Sequence, residues 1–276
     1  MAEKAILYDA SKCTACRGCQ VICKQWNGND EIIPSPSSGD RVAVKSRGTY
    51  ENPPDLAPDT WIKMKFTEAE SSGKMRWLFT RRSCMHCTDA GCVRACPNGT
   101  LYHNEFGTVS YNKDTCIGCG YCIPACPFDV PRLKGNRITG IAKADKCTFC
   151  TTQGLDRIVE GMEPACVKTC PPGALAYGER EAMVVLGRQR VDLLKSRGVG
   201  GANLYGENEL NGLHVLYVLE DSPGAYGLPV NPRVPGATIA WKDVIQPVGW
   251  AVGGLTILGL GMNWLVARAN AKKEEK

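Results

Sequence analysis

Two segments with alternating apolar residues predict a pair of strands in the first third of the chain. Within 61–67, and again within 74–80, large apolar residues recur at every second position. Side chains in a strand point alternately to opposite faces, so each segment presents one apolar face. The Ser-Ser-Gly sequence at 71–73 is typical of a turn, and the pattern predicts an antiparallel hairpin over 61–80. The apolar residues are Ile62, Met64 and Phe66 in one strand and Met75, Trp77 and Phe79 in the other.

Weaker periodicities predict the remaining elements of an α+β domain over residues 1–240. A helix is expected over 179–198, ending at Gly198, and short strands are expected over 106–111 and 212–219. The stretch 27–58 is rich in Pro, Gly, Ser and Asp and is predicted to be loop. The residues predicted to face inward from the helix are Met183, Leu186, Val191 and Leu194.

A run of 24 residues without a charged side chain, from Val244 to Ala267, predicts a transmembrane helix. At about 1.5 Å per residue such a helix is roughly 36 Å long, against roughly 30 Å for the hydrocarbon core of a bilayer. Trp241 and Trp250 near one end and Trp264 near the other suit the two interfaces. The alternative is a buried helix of a soluble core.

Basic residues after this run predict its orientation. The tail over 268–276 is rich in Lys and Arg, and such residues favour the cytoplasmic side. We therefore expect a single-pass protein of the cell membrane, with a cytoplasmic C-terminus and the large domain on the outer, periplasmic side. The first nine residues lack the apolar stretch of a secretory signal, so export would depend on an exported partner. The basic residues are Arg268, Lys272, Lys273 and Lys276 after the span, against Arg233 and Lys242 before it.

Sixteen cysteines are the most informative feature of the composition. Without a secretory signal, disulfides explain them poorly, which leaves zinc or iron–sulfur clusters. The formal net charge of +5 counts every cysteine as neutral. Four clusters, each formally −2 with its thiolates, bring the charge to about −3. The excess of basic over acidic residues is therefore no sign of nucleic-acid binding, and no nucleic-acid partner is expected.

The spacing of the cysteines favours iron–sulfur clusters over zinc. The first and third runs have the C-x2-C-x2-C-x3-C spacing of bacterial ferredoxins, whereas zinc sites use separated pairs of ligands. The second and fourth runs are looser, but each keeps its last cysteine three residues after the third. The spacing predicts four [4Fe–4S] clusters, with iron bound by all sixteen thiolates. The runs are Cys13, Cys16, Cys19 and Cys23; Cys84, Cys87, Cys92 and Cys96; Cys116, Cys119, Cys122 and Cys126; and Cys147, Cys150, Cys166 and Cys170.

The pairing of the runs stays open at this point. In ferredoxins the last cysteine of a run binds the cluster of a partner run. Pairing the first run with the fourth and the second with the third joins one strict run to one loose run. Pairing the first with the second and the third with the fourth does the same.

Several motifs resemble the iron–sulfur subunit of membrane-bound respiratory formate dehydrogenase. They are CMHC at 84–87, CIGCGYC at 116–122, CPFDVPR at 126–132 and EPACVKTCP at 163–171, together with the helix over 179–198 and the single C-terminal span. The resemblance covers essentially the whole chain. The cysteine runs also resemble those of four-cluster subunits in dimethyl sulfoxide, polysulfide and nitrate reductases and in some hydrogenases, so the same role in another oxidoreductase is the alternative.

The resemblance implies the fold and the ligand sets. It implies two nested ferredoxin-like double-[4Fe–4S] units with loop-rich insertions: residues 1–25 with 140–178, enclosing 80–135. The first cluster is then bound by Cys13, Cys16, Cys19 and Cys170. The second set is Cys23, Cys147, Cys150 and Cys166; the third is Cys84, Cys87, Cys92 and Cys126; the fourth is Cys96, Cys116, Cys119 and Cys122.

The resemblance also implies the partners. The first cluster lies nearest a catalytic subunit with a molybdenum- or tungsten-bis-pterin cofactor, and the fourth nearest a membrane cytochrome b that passes electrons to quinone. No catalytic residue is predicted in this chain. We expect His86 to be a neighbouring or surface group rather than a ligand. The basic residues that border the runs, and that are candidates for raising reduction potentials, are Lys24, Arg132, Lys146 and Lys168.

Overall fold

The computed structural model describes residues 2–29, 50–71, 74–135, 142–152 and 156–274. These residues form two units, Met1–Val234 and Pro235–Lys276. The first unit contains all sixteen cysteines.

A four-stranded sheet organises the first unit. Strand β1, Lys4–Asp9, lies at its centre and pairs in parallel with the last strand, β10, Val215–Leu219. On its other side β1 pairs antiparallel with β8, Leu175–Glu179. Strand β9, Asn203–Tyr205, completes the order β8–β1–β10–β9. The predicted strand over 212–219 is confirmed as β10, whereas β1, β8 and β9 are additional.

Helix α4, Arg180–Ser196, covers one face of this sheet. The predicted helix is confirmed, and it ends beside Gly198, whose φ is +89°. The prediction that Leu186 faces inward is wrong, because that side chain is exposed. Val191 and Leu194 face inward as predicted and pack with Leu7, Leu216 and Val218 of the sheet, and Met183 is partly buried beside them. The buried stripe is Val184, Gly187, Val191 and Leu194.

The opposite face of the sheet packs on the cysteine-bearing segments. Ile6, Tyr8 and Tyr217 belong to one apolar cluster together with the thiols of Cys23 and Cys166. Helix α1, Gly18–Trp26, packs against helix α3, Ala165–Lys168. The sheet therefore brings the first and fourth cysteine runs, which are far apart in sequence, to one region.

The predicted hairpin is confirmed with slightly shifted bounds. Strands β2, Lys63–Ser71, and β3, Lys74–Arg82, pair antiparallel, and Phe66 lies opposite Phe79. Two residues of the predicted turn, 72–73, lie outside the described residues. The aromatic rings on this face stack edge to face, and the ring of Trp77 remains partly exposed.

Short elements position the second and third runs. Strands β4, Leu101–His103, and β5, Val109–Tyr111, form a small hairpin, so the predicted strand over 106–111 is confirmed only in its last part. Strands β6, Arg132–Gly135, and β7, Ala142–Asp145, form another. Helix α2, Gly91–Arg94, carries Cys92. Most of the predicted loop over 27–58 lies outside the described residues.

The second unit is helical. Helix α5, Gly236–Ala240, continues through a π-helical turn at Trp241–Ile245 into helix α6, Gln246–Glu274. Within the described part of the chain, one helical segment, Gln246–Arg268, is long and apolar enough to cross a membrane. It is not buried in the structure, which argues against the alternative of a soluble core helix. The Arg268 guanidinium lies over the Trp264 ring, 5.2 Å from its centroid.

Candidate cluster-binding sites

All sixteen cysteines are free thiols in the structure. Most of them lie in loops or in the first turns of short helices. Cys16 and Cys119 are exposed, and the other fourteen are partly or fully buried. Buried thiols gathered in groups are typical of metal sites rather than of ordinary apolar cores.

One enclosed cavity is lined by four cysteines from two separate runs. Cys23 enters it from helix α1, Cys147 and Cys150 from the loop after strand β7, and Cys166 from helix α3. Apolar side chains, including those of Ile6, Trp61 and Phe149, form most of the rest of the lining. We call this space the Cys23 cavity. The fourth cysteine of the first run thus joins three cysteines of the fourth run.

A second cavity has the same construction. Cys84, Cys87 and Cys92 of the second run line it together with Cys126 of the third run. We call it the Cys84 cavity. The crossing of one cysteine between runs, known from ferredoxin spacing, is therefore present in the geometry of both cavities.

The remaining eight cysteines form two groups of near neighbours. Burial raises the pKa of the Cys13 thiol, and the nearby thiols of Cys170 and Cys16 raise it further. Burial likewise raises the pKa of Cys122 to about 12, with contributions from Cys119, Cys116 and Cys96. The structure thus brings the predicted first and fourth ligand sets together as neighbours.

The buried thiols are poor anions without a cation. Burial raises the pKa of Cys147 to about 11 and that of Cys150 to about 12. At neutral pH the two side chains are protonated unless a metal compensates the thiolate charge. Among the described residues, no three His, Cys, Asp or Glu side chains converge in the way that holds a single metal ion. Four thiols around each of the two cavities are the donor set of an iron–sulfur cubane.

The loops around the thiols direct backbone N–H groups at sulfur. The amides of Ala15, Phe149 and Ala144 lie 3.4–3.5 Å from the sulfurs of Cys13, Cys147 and Cys116. Ala15 and Phe149 adopt positive φ angles of 52° and 60°. Such a backbone is costly for residues with a side chain, and it persists because the loop wraps a centre.

Gly118 shows how tightly one loop is packed. Its φ is +73°, and a Cβ atom there would lie 2.1 Å from the carbonyl oxygen of Ala142. A glycine is therefore required between Cys116 and Cys119, both for its backbone angle and for space.

Several buried side-chain donors have no hydrogen-bond partner among the described residues, and two of them belong to residues near the cysteines. They are Nε of Arg81, whose Nη2 lies 3.5 Å from Sγ of Cys166, and Nε2 of His86, which precedes Cys87 in the chain; both side chains are buried. Because Nδ1 of His86 accepts from the Val109 amide at 3.2 Å, Nε2 carries the proton. Sulfur atoms of a cluster bound beside Cys166 would supply an acceptor for Arg81, so this donor fits the group that the thiols imply. His86 is a buried neighbour of the ligands, not a surface group.

The basic residues differ in position. Lys146 is buried, lines the Cys84 cavity and donates to the carbonyl of Cys147 at 2.9 Å. Lys168 lies on the surface beside Glu163. Arg81 was missed at the sequence level, although its position carries a signal: it continues the apolar face of Trp77 and Phe79, where a charge is unexpected.

Comparison with known proteins adds independent support. Two family models, each described as a 4Fe-4S dicluster domain, match residues 12–100 and 75–180. The chain is 40% identical to the formate dehydrogenase-O iron–sulfur subunit of Escherichia coli, over 99% of this chain and 89% of the relative. It is 43% identical to the formate dehydrogenase iron–sulfur subunit of Haemophilus influenzae, over 92% and 78%. It is 36% identical to the thiosulfate reductase electron transfer subunit PhsB of Salmonella typhi, over 76% and 94%.

Proposed function

Because the chain belongs to the family of formate dehydrogenase iron–sulfur subunits, we propose that it is the electron-transfer subunit of a formate dehydrogenase. A catalytic subunit with a molybdenum- or tungsten-bis-pterin cofactor oxidises formate. This chain accepts the electrons and delivers them to a membrane cytochrome b, which reduces quinone. The observation that carries the proposal is the convergence of cysteines from separate runs on the Cys23 and Cys84 cavities, because it builds neighbouring sites within one fold.

The proposed ligand sets use all sixteen thiolates for four [4Fe–4S] clusters. The linings of the two cavities support the second and third sets, and the mutual effects on thiol pKa support the first and fourth. The sets define two nested ferredoxin-like units, in which 1–25 and 140–178 enclose 80–135. The pairing of β1 with β8 and the packing of α1 on α3 support the outer unit.

When bound, the clusters supply one-electron transfer without proton or group transfer. The chain's own residues hold the thiolates in place. They also shield the second and third ligand sets, whose thiols are partly or fully buried, from water. Cys16 and Cys119, the two exposed thiols, belong to the first and fourth sets. The exposed thiol in each of these two sets supports electron entry at the first set, facing the catalytic subunit, and exit at the fourth set, facing the cytochrome.

Helix α6 is the proposed membrane anchor. Gln246–Arg268 spans the bilayer, and Gly249 and Gly253 allow close packing against a helix of the cytochrome subunit. The basic tail favours a cytoplasmic C-terminus, which places the cluster domain on the periplasmic side. The Arg268 guanidinium lies over the Trp264 ring at this end of the span, a pair that suits a membrane interface.

The alternative is the same electron-transfer role in another oxidoreductase. The similarity to a thiosulfate reductase subunit over 76% of the chain favours it, but the formate dehydrogenase relatives match at higher identity and over more of the chain.

The test is purification of the detergent-solubilised complex from its native membrane. We expect about sixteen iron and sixteen acid-labile sulfide per chain, a co-purifying pterin subunit, and reduction of the clusters by formate in electron paramagnetic resonance (EPR) spectra. Stoichiometric zinc with little iron would contradict the cluster assignment. Clusters reduced by hydrogen, or a complex that acts on a sulfur compound but not on formate, would support the alternative.

A further inference from the structure

Arg81 is a cation in the core of the first unit. It lies near the end of strand β3, opposite Met64, and only 1% of its surface is exposed. Its Nη2 atom lies 3.5 Å from Sγ of Cys166, and its Nη1 atom donates to the hydroxyl of Ser83. The hydroxyl of Tyr217 donates to the Arg81 carbonyl oxygen, which fixes the backbone at this point.

No carboxylate among the described residues pairs with the Arg81 guanidinium. The adjacent Arg82 differs, because it is partly exposed and forms ion pairs with Asp55 and Asp129 at 2.7 and 3.1 Å. Burying an arginine without an anion costs several kcal/mol. Thiolates that bind clusters would supply the anions that Arg81 lacks among the described carboxylates.

The groups that face Arg81 are thiols. Burial lowers the pKa of the arginine, but the thiol of Cys166 and other acidic neighbours, including Tyr217, Cys19 and Cys147, raise it, and the net direction is upward. Cys147 and Cys166 line the Cys23 cavity, whereas Cys19 belongs to the neighbouring group. The guanidinium thus contacts one ligand set directly and lies near a second.

A fixed positive charge at this position affects redox equilibrium. A [4Fe–4S] cluster with four thiolates gains one negative charge on reduction, and hydrogen bonds to its sulfurs favour the reduced form. In a buried site such interactions are weakly screened. Because Arg81 stays protonated at every accessible pH, its contribution does not vary with pH.

We propose that Arg81 sets the reduction potential of the cluster bound by Cys23, Cys147, Cys150 and Cys166, holding it above the value that the thiolates alone would give. This inference rests on the proposed ligand sets. Arg81 acts through Cys166. It tunes the potential of the cluster and does not contact formate. The effect is largest at this cluster, smaller at the cluster that includes Cys19, and smallest at the distant ones.

The test is a redox titration of the purified complex, followed by EPR, for the native protein and for Arg81→Gln, Arg81→Lys and Arg188→Gln. The last is the matched control, since Arg188 lies exposed on helix α4 and pairs with Glu207. A Cys166→Ser variant identifies which of the four signals belongs to the Cys23 cavity.

We expect Arg81→Gln to lower the midpoint potential of that signal more than that of any other. The ratio of reduced to oxidised cluster, measured at the native midpoint, should fall at least tenfold, which equals about 59 mV for a one-electron couple. Arg81→Lys should restore part of the shift because it retains the charge, and Arg188→Gln should change nothing.

Two results would overturn the proposal. One is full iron content with four unshifted midpoints in Arg81→Gln. The other is loss of one cluster in both Arg81 variants, with the three remaining midpoints unchanged, which would give Arg81 a structural role only. A larger shift in a signal that Cys166→Ser does not affect than in the one that it does affect would instead refute the proposed ligand set, and native protein without four clusters would refute the proposed function.

Discussion

Replacing Gly118 with alanine should selectively damage the fourth cluster site. Gly118 lies between Cys116 and Cys119, has a φ of +73°, and faces the carbonyl oxygen of Ala142 in strand β7. Gly120, two residues later, has nearly the same φ of +76°, but the nearest atom to its added Cβ would be a methyl of Leu133 at 3.6 Å. Comparing the two alanine variants therefore separates the cost of backbone strain from the cost of a steric clash.

The structure gives the size of the expected difference in stability between Gly118→Ala and Gly120→Ala. An alanine at positive φ costs about 1–2 kcal/mol, and both variants carry this cost. In Gly118→Ala the new methyl would also lie 2.1 Å from a backbone oxygen, so strand β7 or the loop must move by about 1 Å. Overpacking of this kind adds about 1–3 kcal/mol. We expect Gly118→Ala to lose about 2–5 kcal/mol of stability at this site, against about 1–2 kcal/mol for Gly120→Ala.

The assay is iron content after purification without added iron, together with EPR of the reduced protein. Gly118→Ala should fall from about sixteen to about twelve iron per chain, and the lost signal should be the one that Cys119→Ser alters. Gly120→Ala should stay near sixteen. Equal iron content in the two variants, or loss of a different signal, would show that the contact with Ala142 does not limit this site.

Further predictions concern the crossed ligand and the span. Cys23→Ser should disturb the cluster held by Cys147, Cys150 and Cys166, whereas Cys13→Ser should spare it; EPR showing the reverse would refute the crossing. Deleting 244–276 should release the domain from membranes and abolish quinone reduction, while formate-dependent dye reduction survives; retention on membranes would contradict the anchor. In sealed cells an external protease should cut within 35–48, a segment outside the described residues; cutting only after lysis would invert the proposed topology.

The sequence was most informative where the relevant interactions are local. Cysteine spacing within a run follows from the shape of a cluster, and the hairpin of β2 and β3 follows from alternation over a few residues. Helix α4 was predictable in extent, and its orientation was predictable in its second half, where Val191 and Leu194 are buried, but not in its first half. Val185 and Leu186 form a second apolar stripe beside Val184 and Val191, and only the sheet decides which stripe is buried.

The features that the sequence did not predict depend on packing between residues that are far apart in the chain. Strand β1 is apolar almost throughout because both faces of the sheet are covered, so it lacks the alternation that reveals a half-buried strand. The choice between the two pairings of runs depends on β1 meeting β8 and α1 meeting α3, which no local pattern encodes. Arg81 was hidden for a similar reason, since its role appears only when Cys166 is beside it.

The position of β1 in the sheet also sets an order of assembly during synthesis. Ile6 pairs with Val215, so the first strand to leave the ribosome waits for roughly 200 further residues before its parallel partner exists. Closing a loop of that length is slow, and the Cys23 cavity, whose lining comes from both helix α1 and helix α3, cannot form earlier than Cys166 is made. The Cys84 cavity needs only the stretch from Cys84 to Cys126 for its thiols. The set of four thiols of the Cys84 cavity is therefore fully synthesised before that of the Cys23 cavity, which is complete only after most of the first unit has been translated.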